Sequence, residues 1–202
     1  MKDESSIRPR FGLHPSAFSL SKGWAIPQGA MMQLSMLTVL AVVFRAAEVV
    51  IPTPLPWLRP GLANVAILMV LVSFGARAAI LVNLARIVLA SILMGTFLSP
   101  GFWLSLCAGF AACISMIIVW YAFRRWLSYV GVSVVGAYTH TMSQFFVAYL
   151  LFVRHAAVLK LMPYFLLMSL VTGALTGAAA TAMLAWARRR GLLFSERMKD
   201  EL

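Results

Sequence analysis

From about residue 28 onward the chain reads as a series of apolar runs, separated by short clusters of proline, glycine or arginine. A bilayer crossing takes roughly 20 apolar residues in a helix, and the runs fall at about 28–51, 61–75, 78–98, 102–123, 130–153 and 161–187. Pro52-Thr53-Pro54-Leu55-Pro56 ends the first run, because proline cannot continue a helix and holds the residue before it extended. Phe74-Gly75-Ala76-Arg77 breaks the long stretch that follows, which predicts two short helices folded back on each other. Gly95 with Ser99-Pro100-Gly101 makes the next turn, and Arg124-Arg125-Trp126 stops the fourth run. Arg188, Arg189 and Arg190 end the sixth. The pattern predicts an all-α polytopic membrane protein of about six transmembrane helices. It divides into a basic tail (1–26), a transmembrane domain (27–187) and a second basic tail (188–202).

Composition fits. The chain is 62% hydrophobic and 11% charged, where soluble domains run about 25% charged, so a second, soluble domain has little sequence to occupy. A net charge of +11 would suit a nucleic-acid partner, but the charges sit at the ends of apolar runs, where topology signals belong. An even number of spans puts both termini on one side. Placing them inside leaves only Arg59, Arg154 and Lys160 outside, with Arg45 and Arg86 in the membrane, as the positive-inside rule requires. The expected location is the inner membrane of a bacterium, crossed several times. The N-terminal tail does not read as a cleavable signal, since its charged region is long and no A-x-A site follows a short apolar core.

Charge placement also limits the chemistry. Of the 6 acids, Asp3, Glu4, Glu196, Asp200 and Glu201 lie in the tails, and Glu48 alone remains in the hydrophobic body. That excludes a carboxylate pair for glycoside hydrolysis and a carboxylate cage for magnesium. Cys107 and Cys113 have no nearby histidine to complete a metal site. No phosphate-cradling G-x-x-x-x-G-K-[ST] loop occurs. The expectation is a protein that is not itself an enzyme and holds neither metal nor cofactor.

The informative residues are the polar ones inside the apolar runs. An arginine in mid-membrane costs roughly 2.5–3.5 kcal/mol on insertion scales, so Arg86 needs compensation. Arg45 and Glu48 are three apart on one helical face and can pair. His140 and Gln144 share a face one turn apart. With the predicted orientation, Arg45, Asn64, Arg86, His140 and Gln144 gather in the middle and outer half of the bundle, with Asn83 the main polar exception further in. They predict a pocket open to the outside for an anionic or electron-rich solute. The strap at 52–60, carrying Trp57 and Arg59, is placed to cover it. Structural readings stand beside these: Arg45 satisfying Glu48, and His140 with Gln144 as interhelical hydrogen-bonding glue. On the sixth run, Gly173 and Gly177, and Ala174 and Ala178, stand at four-residue spacing. Such a face packs closely within the bundle or docks a partner subunit.

Several local patterns carry a resemblance. They are RPGLAN at Arg59 to Asn64, the Gly75…Ala79…Arg86 run, Gly95, Ser105 with Gly109, and GVSVVGAYTHTMSQ at Gly131 to Gln144. Together they resemble the membrane family known both as heptaprenyl diphosphate synthase component I and as the Gx transporter family. In size and topology that family is similar to the substrate-binding S components of energy-coupling factor (ECF) vitamin transporters. The resemblance implies an S-component-like bundle with one of two roles. One is capture of a vitamin- or cofactor-type solute, passed to an ECF-type coupling subunit and its ATPases. The other is a non-catalytic membrane component serving a prenyl synthase partner in isoprenoid and quinone synthesis. A scaffold subunit of a membrane redox complex is a third reading. The A-x-x-x-A docking pattern usual on the first span of S components is missing from 28–51, which turns attention to the sixth.

Overall fold

The computed structural model describes residues 28–50, 62–123, 125–151 and 156–190. Among them the chain forms six α-helices and no strand: α1 (Gln28–Val50), α2 (Asn64–Phe74), α3 (Ala76–Leu93), α4 (Pro100–Phe123), α5 (Tyr129–Leu151) and α6 (Ala156–Arg189). The two tails and the 52–60 strap with Trp57 and Arg59 lie outside the described residues.

The bundle is organised around its shortest helix. α2 has 11 residues and rises about 16 Å at 1.5 Å per residue, about half the hydrocarbon thickness of roughly 30 Å. It is apolar all round, the signature of a helix enclosed on every side, and every residue from Asn64 to Leu71 is buried. It touches each of the other five helices. α1, α3, α4 and α6 contain stretches long and apolar enough to cross a membrane. α5 is long enough at 23 residues, but buried Ser133, His140, Thr141 and Gln144 dilute its apolar character.

Gly75 alone joins α2 to α3, at φ +87°, a left-handed conformation that glycine reaches without a Cβ clash. α3 ends five residues earlier than its apolar run suggests. Gly95, at φ +64°, ends it: the Thr96 N–H donates to the Ser91 carbonyl (2.8 Å) and the Gly95 N–H to that of Ile92 (3.1 Å). This is the Schellman arrangement, and it overrides the apolar residues that follow. Pro100 begins α4, where its missing N–H costs nothing. α6 begins before the expected 161 and runs through Pro163.

α4, α5 and α6 pack antiparallel in sequence. Gly136 of α5 lies against Met116 of α4, and Trp120 stacks near Tyr129 with ring centroids 5.6 Å apart. α5 and α6 meet even more closely. The Ser133 and Thr176 hydroxyls are buried 2.9 Å apart, and Phe145 meets Phe165 at 5.6 Å. Close approach is set by the two glycines of α6. A Cβ on Gly173 would come within 2.8 Å of Val134 Cα, and one on Gly177 within 2.7 Å of Val130 Cα. Gly173 and Gly177 are therefore covered by α5 of the same chain, whereas Ala174 is half-buried and Ala178 exposed.

Gly177→Ala is expected to force α5 and α6 apart, since the obstacle is backbone and cannot rotate away. Overpacking of this kind costs about 1–3 kcal/mol, read as a lower unfolding midpoint of the purified protein in detergent. Ala178→Leu, on the exposed side of the same turn, should leave the midpoint unchanged.

Candidate functional site

Apart from the Ser133–Thr176 pair, which lies about 16 Å along α5 from Gln144, the polar side chains that the apolar helices carry inward fall into three groups. α2 and α3 diverge from Gly75, and Asn64 and Arg86 are equally far from it along the chain. With a common rise per residue, each stands the same distance from Gly75 along its own helix. α1 joins them through its last turns: the Glu48 carboxylate accepts from the Ala63 N–H at 3.4 Å. α4 joins through Gly109, which packs against the Arg86 guanidinium, the Asn83 amide and Ile87. A Cβ there would lie 3.4 Å from Arg86 Nη2, 3.5 Å from Asn83 Oδ1 and 2.9 Å from Ile87 Cδ1. On α5, continuing two turns from the Met116–Gly136 contact brings Gln144 level with Ala108, beside Gly109.

The three groups make up a polar layer. In the first, Arg45 donates to Glu48 at 3.2 Å, with 9% and 3% of each residue exposed. Arg45 Nη2 also donates to the Ser105 hydroxyl of α4. Ser105 is free to accept because its own proton goes to the Gly101 carbonyl at 2.8 Å. Arg45, Ser91, Thr96, Ser99, Ser105 and their apolar neighbours enclose a cavity of about 40 Å³, room for about three waters. Leu98 in the turn above it holds φ +61°, a left-handed value uncommon for a residue with a side chain.

In the second group, Arg86 donates to Asn83 Oδ1 through both Nε (3.0 Å) and Nη2 (2.8 Å). Those are its hydrogen bonds among the described residues. Glu48, the one carboxylate among the described residues, is paired with Arg45. Asn83 and Asn64 are each 1% exposed, and the amide nitrogens of both lack a hydrogen-bond partner among the described residues. Every such buried donor costs free energy until something accepts from it.

In the third group, Gln144 Nε2 and His140 Nε2 are 3.1 Å apart. An amide nitrogen donates and does not accept, so in this arrangement the neutral imidazole accepts through Nε2 and carries its proton on Nδ1. α3 touches α1, α2 and α4, and α5 touches α2, α4 and α6. α2 and α4 therefore stand between Arg86 and His140.

Of the residues expected to line one open pocket, Arg45 borders the cavity. Asn64, Arg86, His140 and Gln144 are buried among the helices at 1–6% exposure. Central packing of α2 closes the space that a reading of separate spans leaves open. Arg59 lies outside the described residues. Sequence reasoning noted Asn83 as a polar residue in the membrane but did not pair it with Arg86, although their i, i+3 spacing is the signal for a pair on one face. Ser105, sixty residues from Arg45, gives no comparable signal. Among the described residues no cluster of three His, Cys, Asp or Glu side chains is placed to hold a metal ion.

A family model described as heptaprenyl diphosphate synthase component I matches residues 37–183, from the middle of α1 to the last turns of α6. No curated protein and no solved structure matches the chain.

Glu48→Gln should destabilise the protein strongly, because it leaves Arg45 buried without its counter-charge. Breaking one half of a buried pair costs about 3–5 kcal/mol, and replacing both halves with apolar residues is often neutral or better. Thermal unfolding in detergent is expected to show a large drop for Glu48→Gln. A much smaller change is expected for Arg45→Met combined with Glu48→Leu.

Proposed function

Because the chain belongs to the heptaprenyl diphosphate synthase component I family, we propose that it acts in the membrane as a non-catalytic binding subunit. It takes a small anionic or aromatic solute, of the vitamin or cofactor-precursor kind, from the outer face and passes it to a partner that supplies the energy. The observation that carries this reading is Arg86, a guanidinium in mid-helix whose hydrogen bonds among the described residues go to one neutral amide. Ionisable groups at such depth mark substrate and ion pathways.

The positive-inside rule supports an orientation with both termini inside, so that the polar layer lies in the outer half of the bundle. Arg86 is the main anion contact. Arg45 with Glu48, and Asn64, complete the surroundings of the ligand, while His140 and Gln144 lie beyond α2 and α4. With no nucleotide motif in the sequence, the energy comes from outside the chain, as from an ECF-type coupling subunit with its ATPases. Of the small-residue face of α6, Ala174 and Ala178 remain available to such a partner, Gly173 and Gly177 being occupied by α5.

A second reading follows from the family's description. The protein would then present an isoprenyl diphosphate to a prenyl synthase partner that does the chemistry. The hydrophobic body has a single carboxylate, Glu48, so the magnesium-binding aspartates of chain elongation would have to belong to that partner.

Native mass spectrometry of the gently purified protein tests both. A small-molecule adduct present in the wild type and absent from a folded Arg86→Ala variant is expected. Its mass identifies the solute class. An isoprenyl diphosphate adduct, or a bound synthase, would replace the uptake reading with the second. A wild type without any adduct would count against Arg86 as a ligand contact.

A further inference from the structure

We infer that the Asn64, Asn83 and Arg86 cluster is built for one singly charged, proton-free oxyanion, a carboxylate, and that Asn83 is the residue that sets this preference. The inference rests on the reading of Arg86 as the ligand contact and narrows its chemistry.

The argument begins with the Arg86–Asn83 pair. Asn83 Oδ1 accepts from Arg86 Nε and Nη2 together, and only an oxygen can do so, which fixes the orientation of the amide. Its Nδ2 is therefore a donor by necessity, and it has no acceptor among the described residues. The side-on edge of the guanidinium, Nε with Nη2, is filled by the same contact. What remains is its other edge, Nη1 with the second Nη2 hydrogen. That edge presents two parallel N–H groups, the fork that matches two oxygens of one carboxylate. Asn64 Nδ2, on α2, is also without a partner among the described residues. At Asn83 and Arg86 the unused capacity is thus all donor. A ligand group with hydrogens to give, such as an ammonium or an alcohol, would leave these donors unsatisfied.

Charge decides between oxyanions. Arg45 is paired with Glu48, and the hydrogen bonds of Arg86 among the described residues go to a neutral amide, so Arg86 is left with a single uncompensated positive charge. A carboxylate neutralises it. A diphosphate carries several negative charges, and those beyond the first would be buried unpaired, at a penalty of several kcal/mol per ion. Gly109 supplies the last element. A Cβ there would touch Arg86 Nη2 and Asn83 Oδ1 at ordinary van der Waals distance, so this face of α4 lies directly against the pair.

Thermal unfolding of the full chain in detergent tests this with two probes, benzoate and inorganic diphosphate, each at millimolar concentration. Benzoate is expected to raise the wild-type midpoint by several degrees, and diphosphate to leave it unmoved. Asn83→Asp places a carboxylate against Arg86 within the chain. It is expected to raise the midpoint without any probe and to weaken the benzoate response about tenfold or more, on the scale of one charge-assisted hydrogen bond. Equal stabilisation by diphosphate overturns the inference, as does an Asn83→Asp variant that still responds like the wild type. So does a wild type that responds to neither probe. If Arg86→Ala loses a copurifying molecule while neither probe acts, the binding reading stands and the carboxylate preference falls. If Arg86→Ala still responds to benzoate as the wild type does, both fall.

Discussion

A guanidinium enclosed in hydrocarbon has to be given acceptors, and this bundle gives Arg86 one, the side-chain oxygen of Asn83. The rest of the polar layer follows from that shortage. The carboxylate of Glu48, which might have neutralised Arg86, is held by Arg45 and by the Ala63 N–H. The layer is therefore positively charged and rich in unspent donors, a state that a purely structural network would be expected to avoid. A ligand that brings acceptors and one negative charge resolves it.

The fold makes the layer possible by enclosing α2. An 11-residue helix cannot cross a bilayer, yet it can fill the middle of one if its neighbours surround it. Gly75 joins α2 to α3 with no loop between them, so Asn64 and Arg86 each lie eleven residues from the turn. α1 joins the layer through Glu48, and α4 through Ser105 and Gly109. On the far side, α5 and α6 are held at glycine-to-backbone distance, so His140 and Gln144 are fixed by a tightly packed pair. The polar groups are held by packing rather than by loops, which suits a site whose geometry must persist when empty.

Much of this was legible in the sequence, and the remainder failed for definite reasons. The breaks at Gly75, Gly95 and Pro100 were visible because glycine and proline act through the local backbone. The Arg45–Glu48 pair was visible because i, i+3 spacing brings side chains together on any helix. The enclosure of α2 was not, because hydrophobic periodicity cannot separate a short span from a helix buried on all sides. That led to an open pocket where the helices close over Asn64, Arg86, His140 and Gln144. Nor can spacing reveal which polar residue on another helix completes a pair, as Ser105 does for Arg45. The glycines of α6 could be seen to permit close packing, but not that α5 was what they would meet.

The family match joins this chain to heptaprenyl diphosphate synthase component I, and the proposed binding role rests on the polar layer. The most direct test of the central claim, that Arg86 waits for a ligand, is an experimental map of the protein purified without added ligand. The account predicts non-protein density within hydrogen-bonding distance of Arg86 and Asn83, flat and bridging the two. An Arg86 guanidinium fully satisfied by protein atoms, with no space beside it, would contradict the account.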